Sequence, residues 1–296
     1  LTGPRISIVV PTYNPGPVLR RALESLAAQR YEPLEVIAVD AVSTDGTAEV
    51  LREFAPLLAR VVREPDTGQA NALNKGLALA TGEIVGWLCA DDELLPGALA
   101  EVAARFTADP AAEVVVGVCE RVFPDGSRVL TPARADAWRV IGRWNVIDQP
   151  SVFWRRSLQQ RLGPLDESYR LAFDWDLWCR MARAGARLTA TDAVLSRYHF
   201  TADSKTNTAG DEHARESFRI LRRYGPLGGG LAYVFLFLYR TFDRHGCYDQ
   251  PPACSRWRGH AFVLCLRALR LLLGAELIYG YNWQFASKQA RGLKWW

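Results

Sequence analysis

An α/β fold with a mostly parallel central sheet and a helical C-terminal extension is predicted by three features of this 296-residue chain. Strand-length apolar runs alternate four times with segments that are apolar at helical spacing. Each of those runs closes on a polar loop. After about residue 206 the alternation stops and the chain turns basic and helical in character. Repeated strand–helix alternation implies parallel strands covered by helices, because parallel neighbours need a long crossover between them.

The first strand is ISIVV, residues 6 to 10, closed by PTYNPGP; Val18, Leu19, Ala22, Leu23 and Leu26 then mark a helix to about Gln29. LEVIAVD is the second strand, and VSTDGT leads into a helix from about residue 47, with Thr44 or Thr47 expected as its N-cap. RVVRE, a DTG turn and QANALNKGLALA form the third unit. EIVGWLC is the fourth strand, expected to run to Asp91 and Asp92 before a helix that follows Pro96. In such sheets ligands bind outside the carboxyl ends of the strands. Thr12, Tyr13 and Asn14, Asp40 with Ser43, Thr44 and Asp45, Asp66 with Gln69, and Asp91 with Asp92 are therefore expected along one rim.

From residue 113 the pattern changes. EVVVGVCERVF, a PDG turn and SRVL read as antiparallel strands, followed by a segment containing Trp138, Trp144 and Trp154. A helix is expected from about Asp174 to Ala184, stopped by Gly185. Two short strands, about 186 to 190 and 193 to 198, lead into RYHFTADSKT.

Composition bounds the function. With 49% hydrophobic residues the chain can bury a full core. The net charge of +4 is uneven: residues 206–296 carry 13 basic and 6 acidic side chains, residues 1–205 carry 23 and 26. The 32 arginines against 4 lysines are attributed to a GC-rich coding bias, and no nucleic-acid partner is expected. The six cysteines show no CxxC or Cys/His pairing, so they read as small hydrophobes in a reducing, cytoplasmic compartment. ISIVV is too short for a signal-peptide core, and Leu1 suggests a trimmed natural N-terminus.

The stretch WLCADDELLPGAL carries the chemistry. Two aspartates side by side at a strand end repel each other, so a cation or a basic side chain is expected there. Such a pair suits Mg²⁺ or Mn²⁺, which share their coordination with substrate phosphates. Adjacent aspartates also serve as helix caps and turn residues, and the pair alone does not separate these readings.

Its company adds to it. VVPTYNPGPVLRRALESL, VDAVSTDGT, GQANALNKGLALATGEIVGWLCADD and FDWDLWCRM, in this order, resemble the family 2 glycosyltransferases, inverting sugar-nucleotide enzymes of GT-A (Rossmann-like) fold. The resemblance covers about residues 5 to 206. It implies a catalytic domain over 1–206, with a nucleotide-sugar half to about 112 and an acceptor half over 113–206, and a basic helical extension over 207–296. It implies that Pro11, Thr12 and Tyr13 contact base and ribose, that Asp40 bonds the base edge, and that Asp91 faces the ribose or the metal waters. Asp92 would bind the Mg²⁺ or Mn²⁺ that bridges the diphosphate. Ala90 stands in the place of the first acid of a DxD motif, where the family tolerates Ser or Asn, which leaves fewer protein carboxylates on the metal.

The same resemblance makes Asp174 the base that takes the acceptor proton, six residues before Arg180, with Phe173 where the family often has Glu. Asp176 is placed on another helix face. RYHFTADSKT is similar to the family's closing loop, with His199 as a further metal or phosphate ligand and Arg197, Ser204 and Lys205 within reach of the diphosphate. Gln69, Asn71 and Lys75 are expected to face the donor, and Gln149 the sugar or acceptor. Trp154, Trp175 and Trp178 are read as core rather than sugar platforms.

The run at residues 227–239 is uncharged but too short to span a bilayer, and the run at 261–283 is interrupted by Arg267, Arg270 and Glu276. The tail suits either a peripheral contact with the inner face of the cell membrane or a helical cap or homodimer contact. The expected function is sugar transfer from a nucleoside diphosphate sugar to a hydroxyl of a carbohydrate or lipid-linked saccharide in surface polysaccharide synthesis. A sugar-1-phosphate nucleotidyltransferase would need a glycine-rich loop after the first strand, which PTYNPGP does not provide. A catalytically silent nucleotide-sugar or saccharide binding module is the alternative, and the set Asp40, Asp92, Asp174 speaks against it.

Overall fold

The computed structural model describes residues 3–200, 210–247 and 253–274. They form two compact units, one made of residues up to 135 together with 147–200, the other of 136–146 together with the residues beyond 200.

The first unit opens with the expected alternation: β1 (Ile6–Thr12), α1 (Val18–Ala27), β2 (Leu34–Asp40), α2 (Thr47–Glu53), β3 (Leu58–Arg63), α3 (Gln69–Leu79) and β4 (Ile84–Trp87). It continues through β5 (Glu93–Leu94), α4 (Ala98–Ala108), β6 (Val114–Val122) and β7 (Arg128–Thr131). In the second unit lies the short α5 (Ala137–Val140); the first resumes with β8 (Val152–Arg155), α6 (Arg156–Leu162), α7 (Phe173–Arg183) and β9 (Leu188–His199). Among the described residues the strands form one sheet in the order β3-β2-β1-β4-β8-β6-β9-β5, with β7 on β6. The half from β3 to β4 is wholly parallel, which puts four strand ends on one rim. The other half is mixed, with β8 antiparallel to both β4 and β6, and β9 parallel to β6.

All seven residues of β1 are buried, as a central strand with both faces covered requires. Ile6, Ile8 and Val10 pack with Leu19, Leu23 and Leu26 of α1 on one side. On the other, α3 approaches at a distance only glycine allows: a Cβ at Gly76 would lie 2.3 Å from Val9 Cγ1 and 3.2 Å from Val39 Cγ2.

Local structure departs from expectation at three places. The N-cap of α2 is Gly46, with φ of 90°, rather than either threonine. Asp45 lies just outside it and bonds the Thr47 hydroxyl at 2.5 Å and amide at 3.3 Å, so the Asp-Gly turn supplies what a threonine cap would have. Residues 188–199 form one continuous strand instead of two, because β6 offers a long template; the pairing absorbs the irregularity as register shifts between Val116 and Cys119. Third, β4 ends at Trp87, before Cys89 and the aspartates, and the chain pairs again only as β5 on β9. Leu88 N–H still reaches Val9 C=O at 3.0 Å. Pro11, two residues further along β1, faces the same side and has no N–H to offer, so the ladder has no continuation.

The helix at α7 stops as expected: Gly185 adopts a φ of 69°, and Ala186 N–H returns to Met181 C=O at 3.1 Å. Trp154, Trp175 and Trp178 are buried, as read from sequence. Trp178 stacks on Trp87 with centroids 5.7 Å apart, and Trp154 meets Trp87 edge-on at 5.2 Å.

The second unit is helical: α8 (Gly210–Tyr224), α9 (Leu231–Thr241) and α10 (Arg256–Leu273) follow one another. Leu238, Phe242, Cys247, Phe262 and Leu266 form its core, and Tyr239 donates to Asp211 at 2.5 Å. Among the described residues no helix is long and apolar enough to cross a membrane.

Candidate active site

The rim of the parallel half gathers the polar loops. Thr12 pairs with Asp40, and Asp40 with Arg63, so three strand ends stand in register. The loop after β1 is stapled to the loop after β2: Asn14 N–H donates to Ser43 Oγ at 2.8 Å, Thr44 N–H to Asn14 Oδ1 at 2.8 Å, and Gly16 N–H to Asp45 Oδ2 at 2.6 Å. Pro11 and Thr12 are buried, whereas Tyr13 is 68% exposed.

Asp40 is fully buried. Its Oδ1 accepts Ser43 N–H at 3.1 Å and Oγ–H at 2.5 Å, and its Oδ2 accepts Arg63 Nε–H at 3.1 Å. The carboxylate is thus held in a charge-assisted set. Arg63 itself is 48% exposed and also donates to Ser43 C=O.

The aspartate turn beyond β4 is fixed from three sides. Its own Asp92 N–H returns to Cys89 C=O at 3.1 Å, which folds residues 89 and 92 toward each other. From α1 and the residues just past its end, Arg21, Ser25 and Gln29 recur every four residues on one side and bind the passing backbone. Arg21 Nη2 donates to Asp91 C=O at 2.9 Å, Ser25 Oγ accepts Leu94 N–H at 3.1 Å, and Gln29 Nε2 donates to Leu95 C=O at 3.0 Å. From β9, His199 N–H reaches Asp92 Oδ1 at 3.3 Å. Glu93 closes the arrangement, with His199 Nε2 at 2.6 Å, Arg21 Nε at 3.2 Å and Arg197 Nη1 at 3.5 Å.

The basic group expected beside the two aspartates is therefore Arg21, but it bonds the Asp91 carbonyl and Glu93 rather than the aspartate carboxylates. Asp92 is fully buried and its Oδ2 has no hydrogen-bond partner. Burial, then the neighbouring charges of Asp91 and Asp148, push its carboxyl well above the usual aspartate range. Burial lowers His199, against the pull of Glu93. An anionic oxygen without a partner in such a place is costly unless a cation answers it. Asp91, Asp92 and Cys89 place one carboxylate oxygen, another and a sulfur within 4.8 Å of one another. This donor set fits a divalent ion.

Asp174 is half-buried in the first turn of α7 and accepts Trp175 N–H at 2.6 Å. It is flanked by Phe173 and, one turn on, Trp178, both packed on Trp87 at the end of β4, and these anchor the start of α7 beside the rim. Arg180 pairs with Asp176, fully buried, at 2.8 Å and caps Leu162 C=O at 3.1 Å. Asp176 and Arg180 thus make an internal brace, and Asp174 is left on the other face.

The remaining expected residues fall into two groups. Gln69 opens α3 and donates to Cys89 Sγ at 3.1 Å; Gln149 donates to Trp87 C=O at 2.8 Å and accepts from Cys89 at 3.4 Å. Both are at the aspartate turn. Asn71 bonds Glu167 at 3.0 Å, Lys75 bonds Glu64 at 2.8 Å and Pro65 C=O at 2.7 Å, and Arg197 bonds Glu120 at 2.5 Å. Those three side chains bond the scaffold. Ser204 and Lys205 lie outside the described residues. Cys89, Arg21 and Glu93 were not among the residues expected at the site. The signal for Arg21 was its four-residue spacing with Ser25 and Gln29; none marked Cys89, which sat inside an apolar run.

The family model for glycosyl transferase family 2 matches residues 7–165. A PGL/p-HBAD biosynthesis glycosyltransferase of Mycobacterium bovis is 32% identical over 202 residues, covering 67% of this chain and 75% of that protein. Among solved structures, Staphylococcus aureus TarS 1–349 in complex with UDP-GlcNAc superposes with a TM-score of 0.59 at 20% identity, over 88% of this chain and 79% of that one. A mannosyltransferase from Pyrobaculum calidifontis, in complex with GDP-Man and Mn²⁺, gives a TM-score of 0.59 at 23% identity, over 97% and 87%. These two structures share the fold.

Proposed function

The chain belongs to glycosyl transferase family 2, and from that membership we propose that it moves one sugar, with inversion, from a nucleoside diphosphate donor to a hydroxyl of a carbohydrate or lipid-linked saccharide acceptor in surface polysaccharide synthesis. The observation that carries this reading is the fully buried Asp92 with an unpartnered oxygen beside Asp91, at the carboxyl ends of a parallel sheet. The UDP-GlcNAc and GDP-Man complexes of the structural neighbours support the donor class, and the Mn²⁺ in one of them supports the cation.

Residues 1–206 are assigned to catalysis, with the nucleotide-sugar half before about residue 112 and the acceptor half after it, the latter returning Arg197, His199 and Lys205 to the donor. Pro11, Thr12 and Tyr13 flank base and ribose. Asp40 reads the base edge, which its burial permits only if the half-exposed Arg63 side chain moves aside. Asp92 and Asp91 hold Mg²⁺ or Mn²⁺; His199 joins them by leaving Glu93. When bound, the cation neutralises the departing diphosphate. Asp174 takes the proton of the acceptor hydroxyl, a role suited to a half-buried carboxylate in the first turn of α7. Gln69, Arg197 and Lys205 are assigned to the donor side, with Asn71 and Lys75 bracing α3, which Gln69 opens. The extension is assigned a peripheral contact with anionic membrane, since α10 exposes Trp257, Leu264, Leu271 and Leu272 among Arg256, Arg267 and Arg270.

The test is a panel of nucleoside diphosphate sugars, scored for cation-dependent hydrolysis and for transfer to saccharide acceptors, with Asp92→Asn in parallel. Turnover by the wild type that Asp92→Asn loses is the expected result. Donor binding without turnover under any cation would instead make the chain a silent binding module.

A further inference from the structure

Cys89 sits where a simple hydrophobe would have no reason to be. Its sulfur accepts from Gln69 Nε2 at 3.1 Å, lies 3.4 Å from Gln149 Oε1, and shares a 4.8 Å cluster with carboxylate oxygens of Asp91 and Asp92. We propose that Cys89 is itself a ligand of the divalent cation, so that this centre is a mixed thiolate–carboxylate site which favours Zn²⁺, Co²⁺ and Cd²⁺ over Mg²⁺. The proposal rests on the cation-dependent reading given above and names which ions that site prefers.

Three features carry it. The turn bond from Asp92 N–H to Cys89 C=O brings residues 89 and 92 to the same side of the loop. Metal–oxygen and metal–sulfur bonds of about 2.1 and 2.3 Å put two ligands on opposite sides of one ion about 4.4 Å apart. The three donor atoms already lie within 4.8 Å of one another, close to that span. Independently of the sulfur, the buried Oδ2 of Asp92 lacks a partner, so one ligand of the set already awaits a cation.

On binding, the sulfur gives a lone pair to the ion and its proton leaves to solvent, one proton per ion. Gln69 then remains as the donor that orients the sulfur, as groups bonded to metal ligands commonly do. Thiolate is a soft ligand, and hard Mg²⁺ gains least from it.

Cobalt titration of the full chain tests this. The wild type should show a sulfur-to-cobalt charge-transfer band in the near ultraviolet that saturates at one equivalent. Cys89→Ser should abolish it while the other five cysteines remain. Gln69→Ala should weaken Co²⁺ binding by about 10- to 100-fold without removing the band. Cys89→Asp, an all-oxygen set, should shift the preference toward Mg²⁺ in thermal-shift titrations. Because the wild-type spectrum is decisive by itself, misfolding of a variant does not spare the idea. Absence of the band, with Mn²⁺ or Mg²⁺ still stabilising the donor complex, would overturn the sulfur ligand and leave the transferase reading intact. A band unchanged in Cys89→Ser would overturn it too. Failure of every nucleotide sugar to react, with the Cys89-dependent band present, would overturn the transferase reading alone.

Discussion

Replacing Asp92 by Asn separates the fold's interest from the site's. In the cation-free protein the substitution removes a buried carboxyl that folding must either hold protonated or leave as an unpaired charge; it has one long bond from His199 N–H and an oxygen with no partner, next to a second aspartate. Leaving a buried polar group unpaired costs about 1–3 kcal/mol, more when it is charged. Relieving that cost should raise the melting temperature in EDTA by about 2–12 °C, at about 2–4 °C per kcal/mol for a domain of this size. Mn²⁺ at a hundred times its dissociation constant should stabilise the wild type by about 2.7 kcal/mol, or about 5–11 °C on the same scale. The variant, having lost the anionic ligand, should show no such gain. Scanning fluorimetry of both proteins in EDTA and in Mn²⁺ reads all four values. A variant less stable than wild type in EDTA would mean that the carboxylate serves the fold, and the reasoning from its orphaned oxygen would fail. A retained Mn²⁺ shift would remove Asp92 from the metal site.

Three further outcomes are expected. Asp174→Asn should keep the Mn²⁺ stabilisation but slow transfer by about 10²–10⁴, as loss of a general base does; equal losses in donor affinity and rate would assign it to binding. Glu35 ties β1, β2 and the entry to β4, accepting Ser7 Oγ–H at 2.5 Å, Thr81 N–H at 2.7 Å and Thr81 Oγ1–H at 2.8 Å. Burial pushes its carboxyl up, but the Ser7 and Thr81 bonds outweigh burial and hold it below the usual range. Its stabilisation is therefore present above the ordinary glutamate range and lost as pH falls through the depressed value. Glu35→Gln should flatten that acid limb in urea titrations at several pH values, and an unchanged limb would exclude Glu35 as its source. Finally, the full chain should bind anionic vesicles at low salt and release as salt rises; Leu264→Ser with Leu271→Ser should weaken that binding, and indifference of the wild type to vesicles would leave α10 a surface of some other use.

What could be read from sequence alone was what depends on neighbours within about one element. The period-2 and period-3.6 patterns of residues 6–108 yielded the strands and helices of the parallel half, and the rule that ligands gather at strand ends put Thr12, Asp40, Asp91 and Asp92 on one rim. Trp154 and Trp178 were legible as core because their neighbours are apolar. Tertiary structure alone decided where each strand stops and what each polar side chain meets. β4 ends at Trp87 because Pro11 of β1 has no N–H to extend the ladder, and only that departure frees Cys89 to turn back over Asp92. The partners of Glu93 are Arg21 near the start of the first unit and Arg197 and His199 near its end. The bond between Gln69 and Cys89 joins a helix start to a loop twenty residues on. Such pairings are set by the register of strands that meet across a sheet, and no period within a short window encodes which distant side chain the register will bring alongside.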